Sequence, residues 1–204
     1  MLKVGLTGGI AAGKSAVGEM FVALGAHLIQ ADQISHQLMQ PGQAVYEEVV
    51  RYFGESILNP DRTVSRPKLA EAAFSGRIRE LNQIVHPAVL QNQKKWMAEI
   101  GERDPQAIAI VEAALILEAG SAKDFDRLIV VTCRPEQRVQ RWSQRMNVDK
   151  ETARREVNRR MAAQFPDEEK IKAADYVIDN SGSIDETQKQ ASQIYAQLKE
   201  EAQG

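Results

Sequence analysis

The sequence predicts an α/β protein in which a parallel β-sheet is flanked by helices. Three observations carry this. Candidate strands alternate with candidate helices along the chain. The strands are short continuous apolar runs, such as RLIVVT at Arg127–Thr132, the pattern of strands buried on both faces. The first strand also runs directly into a glycine-rich turn, GGIAAGKS, with a helical pattern behind it.

Taken in order, residues 2–7 (LKVGLT) form the first strand. Helical spacing follows over Lys14–Leu24, where Val17, Met20, Phe21 and Leu24 share a face and Gly25 can end the helix. His27–Gln30 is a second strand, and Asp32 stands where the N-cap of a helix over 33–39 belongs. Pro41 and Gly42 break the chain before a helix at Ala44–Phe53, and NPDRTV at 59–64 is a turn. Residues 66–103 read as mostly helical, with punctuation at Gly76 and at His86 and Pro87. Strands resume at 108–111 and at Arg127–Thr132, followed by charged helices over 135–144 and 150–161 and a last strand at 176–178. Ser183 and Glu186 make a capping box ahead of a final helix with an apolar stripe of Ala191, Ile194, Tyr195 and Leu198. No strand is evident from about 36 to 103, so that stretch is expected to be a helical lobe inserted between the second and third strands.

Bulk properties narrow the function. A chain of 204 residues suits one domain with an inserted lobe, and 43% hydrophobic with 26% charged residues is the balance of a folded protein. A net charge of −2 gives no general attraction to nucleic acid or membrane. Cys133 is the one cysteine, so no internal disulfide can form, which fits a reducing, cytoplasmic setting. The N-terminus enters a strand without a signal-type segment, and the apolar run near Ile108 is interrupted by Glu112 and too short to span a bilayer.

Gly8-x-x-x-x-Gly13-Lys14-Ser15 is a phosphate-binding loop pattern, set between a strand and a helix as that mechanism requires. Glycines let the backbone curl until successive N–H groups face an anion. The helix that follows aims its positive end at the same place. Lys14 supplies a charge against the β- and γ-phosphates, and the Ser15 hydroxyl is a hard ligand for Mg²⁺. The phosphate contacts are accordingly assigned to Gly8, Gly9, Ala11, Ala12, Gly13, Lys14, Ser15 and Ala16; a hydroxyl at position 16 would add a further contact that Ala16 lacks. The alternative is a glycine-rich turn with a solvated lysine.

A phosphate cradle leaves three classes open: a small-molecule kinase, a guanine-nucleotide switch, and an ATP-driven motor or regulator. No Asn-Lys-x-Asp guanine motif is present, and the nearest motor-like strand, IAIVE, ends in Glu112 alone. A kinase needs an arginine-rich lid. Residues 134–160 hold nine basic and four acidic side chains, a net +5 that leaves −7 elsewhere, and Arg138, Arg141 and Arg145 share a helix face. The plainer reading of this segment is a solvated pair of charged helices. Asp32, at the end of the second strand, could accept the proton of an attacking hydroxyl; it could equally cap the next helix.

LTGGIAAGKS, QAD at 30–32, HP at 86–87, ALILE at 114–118, Arg160-x-x-x-Gln164 and ADYVIDNSG at 174–182 occur in that order. Together they resemble the dephospho-coenzyme A kinase family from residue 2 to about 183. The resemblance implies a P-loop α/β kinase that phosphorylates the ribose 3′-hydroxyl of dephospho-CoA with ATP and Mg²⁺, the last step of coenzyme A synthesis. It matches Asp32 to the catalytic base and His86 to a histidine facing the acceptor. It matches Arg141 and Arg160 to lid arginines on ATP, Asn180 and Gly182 to the loop near the adenine, and Glu112 to an acidic residue holding a magnesium-bound water. Ala114 stands where the family often has proline, and Ala16 where it usually has threonine. Beside these matches stand plainer roles. His86 and Pro87 can mark a helix boundary, Glu118 can be a solvated helix residue, Cys133 a buried small hydrophobe, and Trp96 and Trp142 packing residues.

The expected organisation is a core of 1–35, 104–133 and 166–204, a helical acceptor lobe of 36–103 and a lid of 134–165. The protein is expected to be a cytoplasmic monomer acting on dephospho-CoA, without nucleic acid or membrane partners. The alternatives are another small-molecule or nucleoside-monophosphate kinase, or a non-catalytic ATP-binding regulator.

Overall fold

The computed structural model describes residues 1–74 and 76–204. Its strands are β1 (Leu2–Gly8), β2 (His27–Gln30), β3 (Ile108–Glu112), β4 (Arg127–Thr132) and β5 (Tyr176–Asp179). Its α-helices are α1 (Lys14–Leu24), α2 (Ala31–Leu38), α3 (Ala44–Phe53), α4 (Arg66–Phe74), α5 (Ile78–Arg103), α6 (Pro135–Met146), α7 (Lys150–Ala162), α8 (Asp167–Ala173) and α9 (Ile184–Gln203). The strand order is β2-β3-β1-β4-β5, and the pairings of β1 with β3, β1 with β4 and β4 with β5 are all parallel. Parallel neighbours cannot be joined by tight turns, so helical crossovers separate them in sequence and cover the sheet.

Two compact units divide the chain, one of residues 1–29 and 99–204, the other of 30–98. In the first, β1 is central because its apolar run can be covered on both faces. Val4, Leu6, Ile110, Ile129, Val131 and Ile178 from four strands meet Val17 and Phe21 of α1 and Ala191, Ile194 and Leu198 of α9 in one core. A fully buried side chain of this size contributes about 1.5–3 kcal/mol. The capping box starts α9: the Ser183 hydroxyl accepts the Glu186 amide at 3.2 Å, and the Glu186 carboxylate accepts the Ser183 amide at 2.7 Å.

The second unit holds α2, α3, α4 and most of α5. The 59–64 turn is closed by an antiparallel bridge between Leu58 and Val64, and the Tyr46 hydroxyl donates to the Arg62 carbonyl at 2.6 Å.

Four expectations are corrected. α2 begins at Ala31 with Gln30 as N-cap, so Asp32 is a first-turn residue and not the cap. α5 runs unbroken through His86 and Pro87, which are therefore no helix boundary. Proline removes one donor to the carbonyl four residues back; Pro87 and Gln83 are both exposed, so water can satisfy that carbonyl. A short helix, α8, follows α7 where none was expected. Its sequence, DEEKIKA, is too short and too charged to show a period, but Asp167, Glu168 and Glu169 suit its positive N-terminal end. Finally, Glu118 lies in a turn segment and not on a helix.

Candidate active site

The phosphate loop leaves β1 at Gly8 and enters α1 at Lys14. Three of its glycines sit at close approaches, Gly8 the least relievable, since at φ +150° a Cβ there would lie 2.2 Å from the Val131 backbone carbonyl oxygen. Gly13, the N-cap of α1 at φ +100°, would place a Cβ 2.0 Å from Asn180 Nδ2. A Cβ on Gly9 would lie 2.0 Å from the Arg138 guanidinium. Ala11 is held at φ +54°, a left-handed conformation that costs a non-glycine residue roughly 1–2 kcal/mol. Its side chain and that of Ile10 pack against Val139, Trp142, Ala153 and Val157 of α6 and α7, which offsets that cost.

Lys14 folds over this loop, with Nζ 3.2 Å from the Gly8 carbonyl and 3.3 Å from that of Gly9. The Ser15 hydroxyl donates to Glu112 Oε1 at 2.9 Å, and Glu112 ends β3 almost fully buried. These are hard oxygen donors. Among the described residues no group of three or more His, Cys, Asp or Glu side chains is placed to hold a metal. A hydroxyl backed by one carboxylate fits Mg²⁺, which keeps most of its positions for water and phosphate oxygens.

Two predicted residues, Asn180 and Arg141, converge on the last turn of the loop. Asn180 Nδ2 donates to the Ala12 carbonyl at 2.9 Å, and Arg141 donates to the same oxygen at 3.1 Å and to the Asn180 carbonyl at 2.8 Å. Arg160 instead lies over the Trp142 ring at 4.6 Å, on which Arg145 also stacks at 4.6 Å. Trp142 is buried, as a packing residue should be. Trp96 is partly buried in α5. Gly182 follows in the β5–α9 loop, where a Cβ would meet the Glu186 carboxylate at 2.2 Å. Exposed Ala16 lies in the first turn of α1. Asp32 and His86 belong to the second unit. Asp32 is exposed, and its carboxylate makes no hydrogen bond or ion pair among the described residues. Half-buried His86 has its pKa lowered by desolvation, which favours the neutral imidazole.

The buried roles of three groups escaped the sequence reading. Arg138 is fully buried and paired with Asp167 of α8, so it is not a solvated member of the charged face. Glu118 is paired at 2.9 Å with Lys170, a lysine with no solvent exposure, and also accepts the Phe165 amide at 2.8 Å. Removing one partner of such a pair strands a buried charge, which is strongly destabilising. Thr187 is a buried hydroxyl on α9. Only Thr187 left a visible signal, a hydroxyl at the head of an apolar stripe. Cys133 is a buried hydrophobe of the core, and burial pushes its thiol pKa up, which suppresses the thiolate.

A phosphate loop after the first strand of a parallel sheet, with an arginine of α6 fastened to it, is the architecture of the P-loop kinase class. The sequence model described as "Dephospho-CoA kinase" matches residues 2–186, and the chain belongs to that family. A dephospho-CoA kinase of Aquifex aeolicus (strain VF5) is 40% identical over 200 residues, covering 97% of this chain and 98% of that protein. Among solved structures, TT1252 from Thermus thermophilus has a TM-score of 0.78 at 28% identity, covering 97% of each chain. A dephospho-CoA kinase from Campylobacter jejuni shares the fold at a TM-score of 0.69 and 22% identity, covering 98% of each chain.

Proposed function

We propose that this protein transfers the γ-phosphoryl group of ATP to the ribose 3′-hydroxyl of dephospho-CoA, which completes coenzyme A. The observation that carries this reading is the Gly8–Ser15 loop, fastened by Arg141 and Asn180, in a chain matched to the kinase family over residues 2–186. In the reaction the acceptor oxygen bonds to the γ-phosphorus, the bond to the β–γ bridging oxygen breaks, and ADP leaves with that electron pair. Such transfers depend on position and charge more than on covalent help.

The residues take the following roles in this reading. Loop amides from Gly8 to Ala16 and the Lys14 ammonium hold the β- and γ-phosphates. Ser15, backed by Glu112, holds Mg²⁺, whose chemistry when bound is to neutralise charge on the phosphate oxygens. Asp32 accepts the hydroxyl proton and orients the oxygen. His86, held neutral by its surroundings, contacts the acceptor from a lobe of residues 36–103. Arg141 and Arg160 belong to a lid of residues 134–165 over ATP, and Asn180 and Gly182 flank the adenine. We further place the protein in the cytoplasm as a monomer. Among the described residues no helix is long and apolar enough to cross a membrane.

ADP release measured with Mg-ATP and a panel of acceptors tests this. Release is expected only with dephospho-CoA. Release with a nucleoside monophosphate would assign another kinase activity, and ATP binding without acceptor-dependent turnover would make the protein a regulator. Arg141→Ala is expected to raise the KM for ATP by about tenfold, the effect of losing one charge-assisted contact. An unchanged KM would exclude Arg141 from the nucleotide site.

A further inference from the structure

Among the buried positions of α9 (Thr187, Ala191, Ile194 and Leu198), Thr187 is the polar one, and it lies one residue beyond the stretch matched to the family. It has no solvent exposure. Its hydroxyl lies 3.1 Å from Asn180 Oδ1 and 3.1 Å from the Ser183 carbonyl. A hydroxyl has one proton, and the surroundings decide where it goes. The Ala12 carbonyl can only accept, so the Asn180 amide must present Nδ2 to it. Oδ1 then faces Thr187 and needs a donor, whereas the Ser183 carbonyl already accepts the Thr187 backbone amide at 3.1 Å.

The consequence reaches the phosphate loop through one peptide plane. A trans peptide points its C=O and its N–H in opposite directions. Asn180 and Arg141 together hold the Ala12 carbonyl on their side of the loop. The Gly13 N–H, which donates to nothing among the described residues, is thereby turned to the opposite side as an unpaired donor at the start of α1. We infer that Thr187 is a positioning residue for nucleotide binding: by fixing the Asn180 amide it fixes the Ala12–Gly13 peptide, so that the Gly13 N–H faces the phosphates. Without the hydroxyl, Oδ1 of half-buried Asn180 loses its donor from α9, and the amide gains by rotating away from Ala12 toward other donors.

This rests on the loop being the ATP site, and the experiment separates the two. Calorimetry compares ADP with adenosine for the wild type, Thr187→Val, Thr187→Ser and Asn180→Ala. ADP affinity is expected to fall about tenfold in Thr187→Val, the effect of losing the hydrogen bond that holds the Asn180 amide. It should stay near wild type in Thr187→Ser, and in Thr187→Val adenosine affinity should fall less than ADP affinity. Adding Thr187→Val to Asn180→Ala should cost nothing further, since the residue acts through the amide. Should Thr187→Val not fold, Thr187→Cys carries the same expectation, because a thiol of similar size is a weaker donor. Wild-type ADP affinity in the valine or cysteine variant, an equal loss for adenosine, or additive effects in the double variant would each overturn the inference. A wild-type protein that binds no ADP would instead overturn the nucleotide site itself.

Discussion

Lys14→Ala is expected to lower kcat/KM by about 10²–10³, the effect of removing one preorganised charge from a developing anionic centre. The lysine is already shaped for this task. Its ammonium lies against the Gly8 and Gly9 carbonyls, so its stem has been drawn across the mouth of the loop at no cost at the moment of reaction. Its place at the first position of α1 adds the helix's positive end to its own charge. The alanine variant loses two hydrogen bonds to loop carbonyls but no core contact, so its melting temperature should fall by no more than a few degrees. Steady-state ADP release with dephospho-CoA checks the prediction. Turnover within a few fold of wild type would mean that the phosphates are held by something other than this loop.

Asp32→Asn is expected to leave ATP affinity intact and to lower kcat by about 10²–10⁴, the range for a lost general base. The architecture makes this substitution unusually readable. Even at the N-cap of α2 the change would cost the fold little, because asparagine caps a helix as well as aspartate does. Gln30 holds that position instead, and the Asp32 carboxylate is exposed and unpaired among the described residues. Asparagine removes only the favourable interaction of a first-turn charge with the helix dipole, a few tenths of a kcal/mol. A large fall in turnover with an unshifted melting curve therefore points to chemistry. Normal turnover would leave Asp32 as an ordinary first-turn residue.

How much of this was legible beforehand depended on the reach of each interaction. The phosphate loop was legible because strand, glycines, lysine and serine are adjacent in sequence and act together. The capping box of Ser183 and Glu186 was legible because its partners are three residues apart. Pro87 misled because a local rule against proline was overridden by a long helix with that position turned to water. The arginines of residues 134–160 could be counted but not sorted. Arg138 and Arg141 occupy one helix three residues apart, yet one is buried against Asp167, 29 residues on, and the other fastens the loop 129 residues back.

From its order of residues alone, then, the chain specified a parallel sheet wrapped by helices, a phosphate cradle and a cluster of positive charge, because each is written in neighbouring positions. The choice of partners was left to the folded state. Asn180 reaches Ala12 across 168 residues, Glu118 meets a buried Lys170, and Thr187 orients an amide. Those pairings exist only once the sheet brings distant segments within hydrogen-bonding range and burial removes the water that would otherwise satisfy them.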